Sequence, residues 1–336
     1  MPKEFHQTEW NELVADECRR LVRAAVLEDL DRGQDWTTVS LVSMESVGRA
    51  ALVARQAGII AGLPAVKIVL DEMDQRLRFE PATIDGNIVG DGLQVEPGFK
   101  LGILEGPARS LLTAERLILN FVGRLSGIAT LTHRFVEAVA GTKSRIYDTR
   151  KTTPGWRRLE KYAVRQGGGH NHRTGLFDAV LIKDNHLAIE EAPAISRSVK
   201  LPSTLTPALS QGERVGARFS AAAAVRQARK FIQENFPADD PRRQMIVEVE
   251  IDSLDQLQAV LAELPDIVLL DNMSLGELRR AVEIRNALAE TVDLEASGGV
   301  TLETVRAIAA TGVDRISAGA LTHSAGSLDV ALDWLA

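Results

Sequence analysis

The apolar positions of the chain change period along its length. Leu13, Val14, Cys18, Leu21, Val22, Ala25 and Val26 recur at helical spacing, with acidic and basic residues on the opposite face, so the chain opens with an amphipathic helix. Short strand-like pieces follow, among them 49–55 and 84–89, separated by Gly, Pro and Asp. They predict a small α/β domain whose sheet has helices on one face. From Pro107 a long helix is expected, because proline suits a first helical position and Leu111, Leu112, Ile118, Leu119 and Val122 share a side. Gly123 and Gly127 read as breaks in it.

Beyond residue 143 the texture becomes brief β-rich runs alternating with helical stretches, the pattern of repeated βα units around a parallel sheet. The runs are 145–149, 179–183, 245–251, 267–271, 292–296 and 313–317. Their ends carry chemistry: Lys183, Glu250, Asp271, then Ser297-Gly298-Gly299 and Ala318-Gly319-Ala320. In α/β barrels reactive groups gather at the C-terminal ends of the strands, so one mouth would hold a cation, two carboxylates and two small-residue loops. Any one of these alone reads more simply as a solvated loop residue. Residues 199–220 show neither period and are rich in Pro, Ser, Thr and Gly, which predicts a mobile surface excursion.

The 336 residues suggest about two domains. Net charge is −7 and aromatic content 4%, which argues against a general nucleic-acid binder. The single cysteine, Cys18, and an N-terminus without an apolar signal segment point to the cytoplasm, and no stretch approaches the roughly 20 apolar residues of a membrane span. Against that acidic background, residues 143–184 carry ten Lys or Arg and four Asp or Glu. This local excess predicts an anion site. Arg157, Arg158 and Lys161 in it can be read as an exposed helical face, whereas Arg150-Lys151, Arg173 and Lys183 sit at strand ends or after a glycine run and should point inward. Glu248 and Glu250 alternate with valines and so share a face; with Asp271 they can hold a hard divalent ion such as Mg²⁺. A phosphate cradle fits the last two strand ends.

Several motifs in fixed order resemble the quinolinate phosphoribosyltransferases: Asp148-Thr149-Arg150-Lys151-Thr152-Thr153-Pro154-Gly155, Lys161-Tyr162-Ala163-Val164, Gly167-Gly168-Gly169-His170-Asn171-His172-Arg173 and Ile182-Lys183-Asp184-Asn185-His186. Thr113-Ala114-Glu115-Arg116, Glu248-Val249-Glu250, Leu270-Asp271-Asn272, Ser297-Gly298-Gly299 and Gly319-Ala320-Leu321-Thr322-His323 extend the resemblance over nearly the whole chain. It implies an α/β enzyme with an N-terminal α/β sandwich-like domain plus an incomplete (β/α) barrel, the type II phosphoribosyltransferase fold. On this chain the domains would span 1–120 and 121–320, with the tail 321–336 packed on the first and an inserted loop at 199–220.

The activity implied is Mg²⁺-dependent transfer of phosphoribosyl from phosphoribosyl pyrophosphate (PRPP) to quinolinate with decarboxylation. The products would be nicotinate mononucleotide, pyrophosphate and CO₂, on the route to NAD. By the same resemblance Arg150, His172, Arg173 and Lys183 surround the quinolinate carboxylates, and Arg116 arrives from the neighbouring subunit of a homodimer or larger assembly. Lys151 and Lys183 serve the PRPP side, Glu250 and Asp271 serve Mg²⁺ and the ribose hydroxyls, and Ser297, Gly298 and Gly319 match the phosphate cradle.

Rival readings are a barrel transferase acting on nicotinate or another acid without loss of CO₂, a molybdenum-transport paralogue, and a silent phosphosugar-binding protein. Extra cations favour a dicarboxylate, and Glu250 and Asp271 favour catalysis over silence. The acidic pair leading into a Thr-Gly-Gly loop, typical of a different phosphoribosyltransferase fold, is absent, since Asp239-Asp240 run into Pro241. The excursion at 199–220 is longer than the family usually carries, yet every site motif survives around it. Deleting Leu201 to Arg218 should therefore leave turnover nearly intact in a steady-state assay; a large loss of rate in a folded variant would give the segment a function.

Overall fold

The structure is a computed structural model that describes residues 4–188 and 220–335, so the 199–219 part of the expected excursion lies outside the described residues. The first helix runs Glu12–Leu30. Asn11 caps it by accepting the Val14 amide at 3.0 Å, and Val14, Cys18 and Val22, spaced four apart, form its buried edge. It packs on the helix Leu63–Met73, which in turn packs on the long helix Ala108–Ala138. Beneath them lies a four-stranded antiparallel sheet in the order Val330–Trp334, Val47–Ala54, Lys100–Pro107, Arg78–Pro81. The chain's last strand thus returns to pair with its first, Leu52 opposite Leu332.

Two expectations about this region need correction. The 84–89 segment is not one strand but a two-residue ladder, Thr83–Ile84 against Asn87–Ile88, because Asp85 and Gly86 both take positive φ and turn the chain back. Gly123 and Gly127 do not break the long helix, which runs through both. They lie where the 326–328 segment crosses it: a Cβ on Gly127 would stand 1.9 Å from the Gly326 carbonyl oxygen, and Gly123 carbonyl accepts the Leu328 amide at 2.9 Å. Absence of a side chain, not of helix propensity, is what the sequence records there.

The second sheet is parallel and six-stranded, in the order Arg145–Tyr147, Arg315–Ser317, Asp293–Ser297, Ile267–Asp271, Ile246–Ile251, Ala179–Ile182. Each strand falls within or beside the run that predicted it. Residues alternate between its faces. Ile146, Ile182, Val247, Val249, Val268, Leu270, Leu294 and Ile316 join the main hydrophobic core. The other face is filled in layers, which positions the site. No helix among the described residues is long and apolar enough to cross a membrane.

Replacing Gly127 by Ala should destabilise the protein by about 1–3 kcal/mol, since backbone on both sides must move to admit one methyl group. A urea titration checks this: the midpoint should fall with little change in slope. A midpoint equal to wild type would show that the crossing has slack.

Candidate active site

The inward-facing positions of the parallel sheet form three layers from floor to mouth. Tyr147, Ala179, Ile246 and Ile267 close the floor together with Phe5 from the N-terminal segment. Two residues further along their strands come Leu181, Glu248 and Leu269, with Glu295 and Ser317 on neighbouring strands. A further two residues bring Lys183, Glu250, Asp271 and Ser297, joined by Thr149 two residues past Tyr147, to the rim of a cavity of about 620 Å³. Asp271 follows Leu269, the register partner of Glu250, and itself pairs with Ser297, so carboxylate, carboxylate and hydroxyl stand on three adjacent strand ends.

Arg150, Lys151, His172 and Arg173 reach the same cavity from loops. Their placement depends on a buried knot beneath the loops. Lys161 forms an ion pair with Asp148, both with fully buried side chains, and also donates to the His172 carbonyl at 2.8 Å. Asp148 accepts the His172 amide at 2.9 Å and the Asn171 side-chain amide at 2.7 Å. Lys161 is therefore not part of an exposed basic face. Burial lowers its pKa below that of an ordinary lysine, and Asp148 opposes that shift. Arg158 pairs with Glu17 and Arg157 reaches the Thr174 carbonyl, so the neighbouring cations are spent on structure too.

Two of the cations that remain, Arg150 and Arg173, face the cavity short of partners. The Nε atoms of Arg150 and Arg173 are buried with no hydrogen-bond partner. Arg173 is 7% exposed, and burial together with the adjacent Arg150 charge makes its guanidinium less basic than usual. Such a like-charged pair is costly unless an anion completes it. Lys183 meets Glu250 directly. Asn272 donates to Asp271 at 2.8 Å. At Gly298, φ is +95° and a Cβ would stand 2.2 Å from the Asn272 side-chain oxygen, so only glycine lets this loop close over the cavity edge. Gly319 abuts the Lys151 stem, and the Thr322 hydroxyl donates to the Lys151 carbonyl at 2.7 Å.

Below these groups lies a buried polar triad. His172 Nε2 is 3.0 Å from Glu248 and 3.6 Å from Glu295, and both carboxylates are fully buried. His172 Nδ1 accepts the Arg173 amide at 2.8 Å, which leaves Nε2 to carry the proton of the neutral ring. Burial disfavours the imidazolium, but Glu248 and Glu295 outweigh it and lift the pKa of the ring. Burial, then the Glu248 charge, pushes Glu295 up to about 7. Glu295 and Lys161 were both missed as site-building residues. Glu295 had a usable signal, since it alternates with Leu294 and Ala296 in a β run two residues before Ser297.

The structure thus brings Arg150, Lys151, His172, Arg173, Lys183, Glu250, Asp271, Ser297 and Gly298 around one cavity. It sets Gly319 against Lys151 at its edge. Arg116 is elsewhere: it is exposed on the long helix and lines a separate cavity of about 570 Å³ with Asn120, Arg124 and Trp156.

Comparison with known proteins decides the family. The pattern described as "Quinolinate phosphoribosyl transferase, N-terminal domain" matches residues 35–126, and the corresponding C-terminal domain matches 128–202 and 216–333. The chain belongs to the quinolinate phosphoribosyl transferase family. It is 42% identical over 322 residues to the nicotinate-nucleotide pyrophosphorylase (carboxylating) of Mycobacterium leprae, covering 95% of this chain and 97% of that one. It is 35% identical to quinolinate phosphoribosyltransferase (decarboxylating) 1b of Nicotiana tabacum, covering 94% and 82%. The solved nicotinate-nucleotide pyrophosphorylase of Francisella tularensis superposes with a TM-score of 0.79 at 34% identity, covering 98% and 99% of the two chains. That of Ehrlichia chaffeensis gives 0.75 at 34%, covering 94% and 98%. The fold is that of the phosphoribosyltransferases in this family, with the N-terminal sheet and the parallel sheet expected from sequence.

The triad has a pH consequence. A carboxyl whose folded pKa lies above its unfolded value binds extra protons when folded, so its contribution to stability is present at low pH and is lost as pH rises from about 4.5 to about 7. Urea unfolding at pH 5 and pH 7.5 should show wild type losing on the order of 1–3 kcal/mol relative to Glu295→Gln across that window. Parallel pH profiles for the two proteins would show that Glu295 ionises normally.

Proposed function

We propose that this member of the family transfers phosphoribosyl from PRPP to the ring nitrogen of quinolinate with loss of CO₂, releasing nicotinate mononucleotide and pyrophosphate in NAD biosynthesis. One observation carries the choice of acceptor: the guanidinium groups of half-buried Arg150 and buried Arg173 meet in one cavity, each with a buried Nε left unpaired. A dianionic pyridine acid supplies what they lack, because each carboxylate can accept a planar, two-point grip. Nicotinate, with one carboxylate, would leave part of that charge uncompensated. His172 borders the same acid, and Lys183 stands between it and the sugar, with its charge balanced by Glu250.

The donor occupies the strand-end side. Lys151, more exposed than the two arginines, faces the diphosphate, while the amides of Ser297-Gly298-Gly299 and the Gly319 turn receive the 5′-phosphate. Breaking the bond between ribose C1 and pyrophosphate leaves positive character on the sugar, and Glu250 and Asp271 stabilise it from adjacent strands. The hard oxygen donors of these two carboxylates also suit Mg²⁺, which they would hold together with oxygens of PRPP. Its contribution when bound is to neutralise the departing diphosphate. Once the ring nitrogen is quaternised, the bond to the adjacent carboxylate breaks and CO₂ leaves; the electron pair stays on the ring carbon, stabilised by the neighbouring positive nitrogen, and takes up a proton from water to give nicotinate mononucleotide.

Arg116 takes no part in its own chain's cavity, so its expected role requires a second copy, and we propose a homodimer in which it completes the neighbouring site. The lone, buried Cys18 is compatible with a reducing cytoplasm, where we place the reaction.

The test is turnover of purified protein with PRPP and Mg²⁺, following CO₂ from quinolinate with nicotinate as control acceptor. Quinolinate alone should react, chelation of Mg²⁺ should abolish the rate, and Arg173→Ala should weaken quinolinate binding by about 2–5 kcal/mol with a much smaller effect on PRPP. Equal use of nicotinate, or unchanged quinolinate affinity in Arg173→Ala, would overturn the assignment.

A further inference from the structure

Residues 4–8 precede both segments that match the family patterns, yet they are tied to the middle of the barrel rather than to the N-terminal sheet. Phe5 is 4% exposed and seals the floor of the barrel; its ring centroid lies 4.3 Å from that of His172 at an interplanar angle of 30°. Glu4 fastens the segment on one side, accepting from Tyr147 hydroxyl at 2.8 Å and from Arg315 at 3.2 Å. Gln7 fastens it on the other by a two-point amide pair with the Asn171 backbone: it donates to the Asn171 carbonyl at 3.2 Å and accepts the Asn171 amide at 2.9 Å. The Thr8 amide then donates to the Asn171 side-chain oxygen at 2.7 Å.

We propose that this N-terminal strap is a positioning device for quinolinate recognition, in which Phe5 and Gln7 fix the imidazole of His172 against the acceptor. The strap grips Asn171 and His172, the residues immediately before Arg173. His172 is held on three sides: Phe5 covers one ring face, Glu248 stands at Nε2 and the Arg173 amide occupies Nδ1. Removing the Phe5 ring opens space under the imidazole and lets it tilt towards the floor, away from the cavity it borders. Displacements near 1 Å at an orienting group are enough to cost a binding step heavily. The donor side is less directly tied, because the hydrogen bonds of the strap reach Tyr147, Asn171 and Arg315 and not Lys151, Asp271, Ser297 or Gly298.

This inference rests on the proposed role of the cavity in binding quinolinate, and two readouts keep the two claims separable. The first is steady-state kinetics of the full chain carrying Phe5→Ala, Gln7→Ala or Phe5→Leu. Phe5→Ala and Gln7→Ala should raise KM for quinolinate about tenfold, with KM for PRPP within twofold of wild type, and Phe5→Leu, which keeps an apolar wedge, should recover most of the loss. General damage to the fold would move both KM values together, and that outcome, like an unchanged quinolinate KM, overturns the strap. The second is the imidazole NMR signal of His172 in protein labelled at histidine, assigned with His172→Gln. Phe5→Ala should shift and broaden it. A signal identical to wild type overturns the strap even if turnover is normal, whereas a wild-type chain without turnover defeats the functional reading and leaves this spectrum to judge the strap.

Discussion

Confinement of positive charge without enough negative charge is the constraint that organises this protein. Burial and the nearby Arg150 charge lower the basicity of Arg173, both arginines have a buried nitrogen without a partner, and Lys151 and Lys183 stand on the same rim. Left to relax, such side chains would swing to water. They stay because the backbone that carries them is fixed from below, by the ion pair of Asp148 with Lys161 and the hydrogen bonds of Asn171 and His172 that converge on it. Stability is invested in a rigid base so that the mouth can remain electrostatically incomplete.

The layered interior separates tasks that would otherwise conflict. An apolar floor of Phe5, Tyr147, Ala179, Ile246 and Ile267 keeps water out from below. The His172, Glu248 and Glu295 layer is polar yet buried, and its carboxylates can lie there because one of them retains its proton more readily than usual. The top layer, with Glu250, Asp271 and Ser297, forms the open rim of the cavity, and His172 reaches the same cavity from the layer below. A period of two along each strand assigns a residue to its layer, so chemistry and packing are written into alternate positions of the same runs.

That periodicity explains which features were legible in the sequence. Six strands were found because their apolar runs are short, regular and separated by helical stretches, and the rim residues followed from being the last polar position of each run. Other features depend on contacts distant in sequence. Lys161 looks like one more charge on an amphipathic helix, and only the arrival of Asp148 beneath that helix makes it a buried tie. Gly127 looks like a helix breaker until the 326–328 segment crosses it, nearly two hundred residues later. The strap at residues 4–8 has no period at all, and its anchoring partners, Tyr147, Asn171 and Arg315, are scattered over the barrel. Arg116 could be nominated only by resemblance, since within one copy of the chain it lines a different cavity from Arg150, Lys151, Arg173 and Lys183.

The central claim is that the cavity is built for two negative charges on one small ring, and calorimetric titration of wild-type protein with quinolinate and with nicotinate at matched ionic strength tests it most directly. The account predicts that the dicarboxylate binds at least tenfold more tightly, equivalent to about 1.4 kcal/mol or more, and that its advantage shrinks as salt is raised. Equal affinities for the two acids at low salt would contradict it.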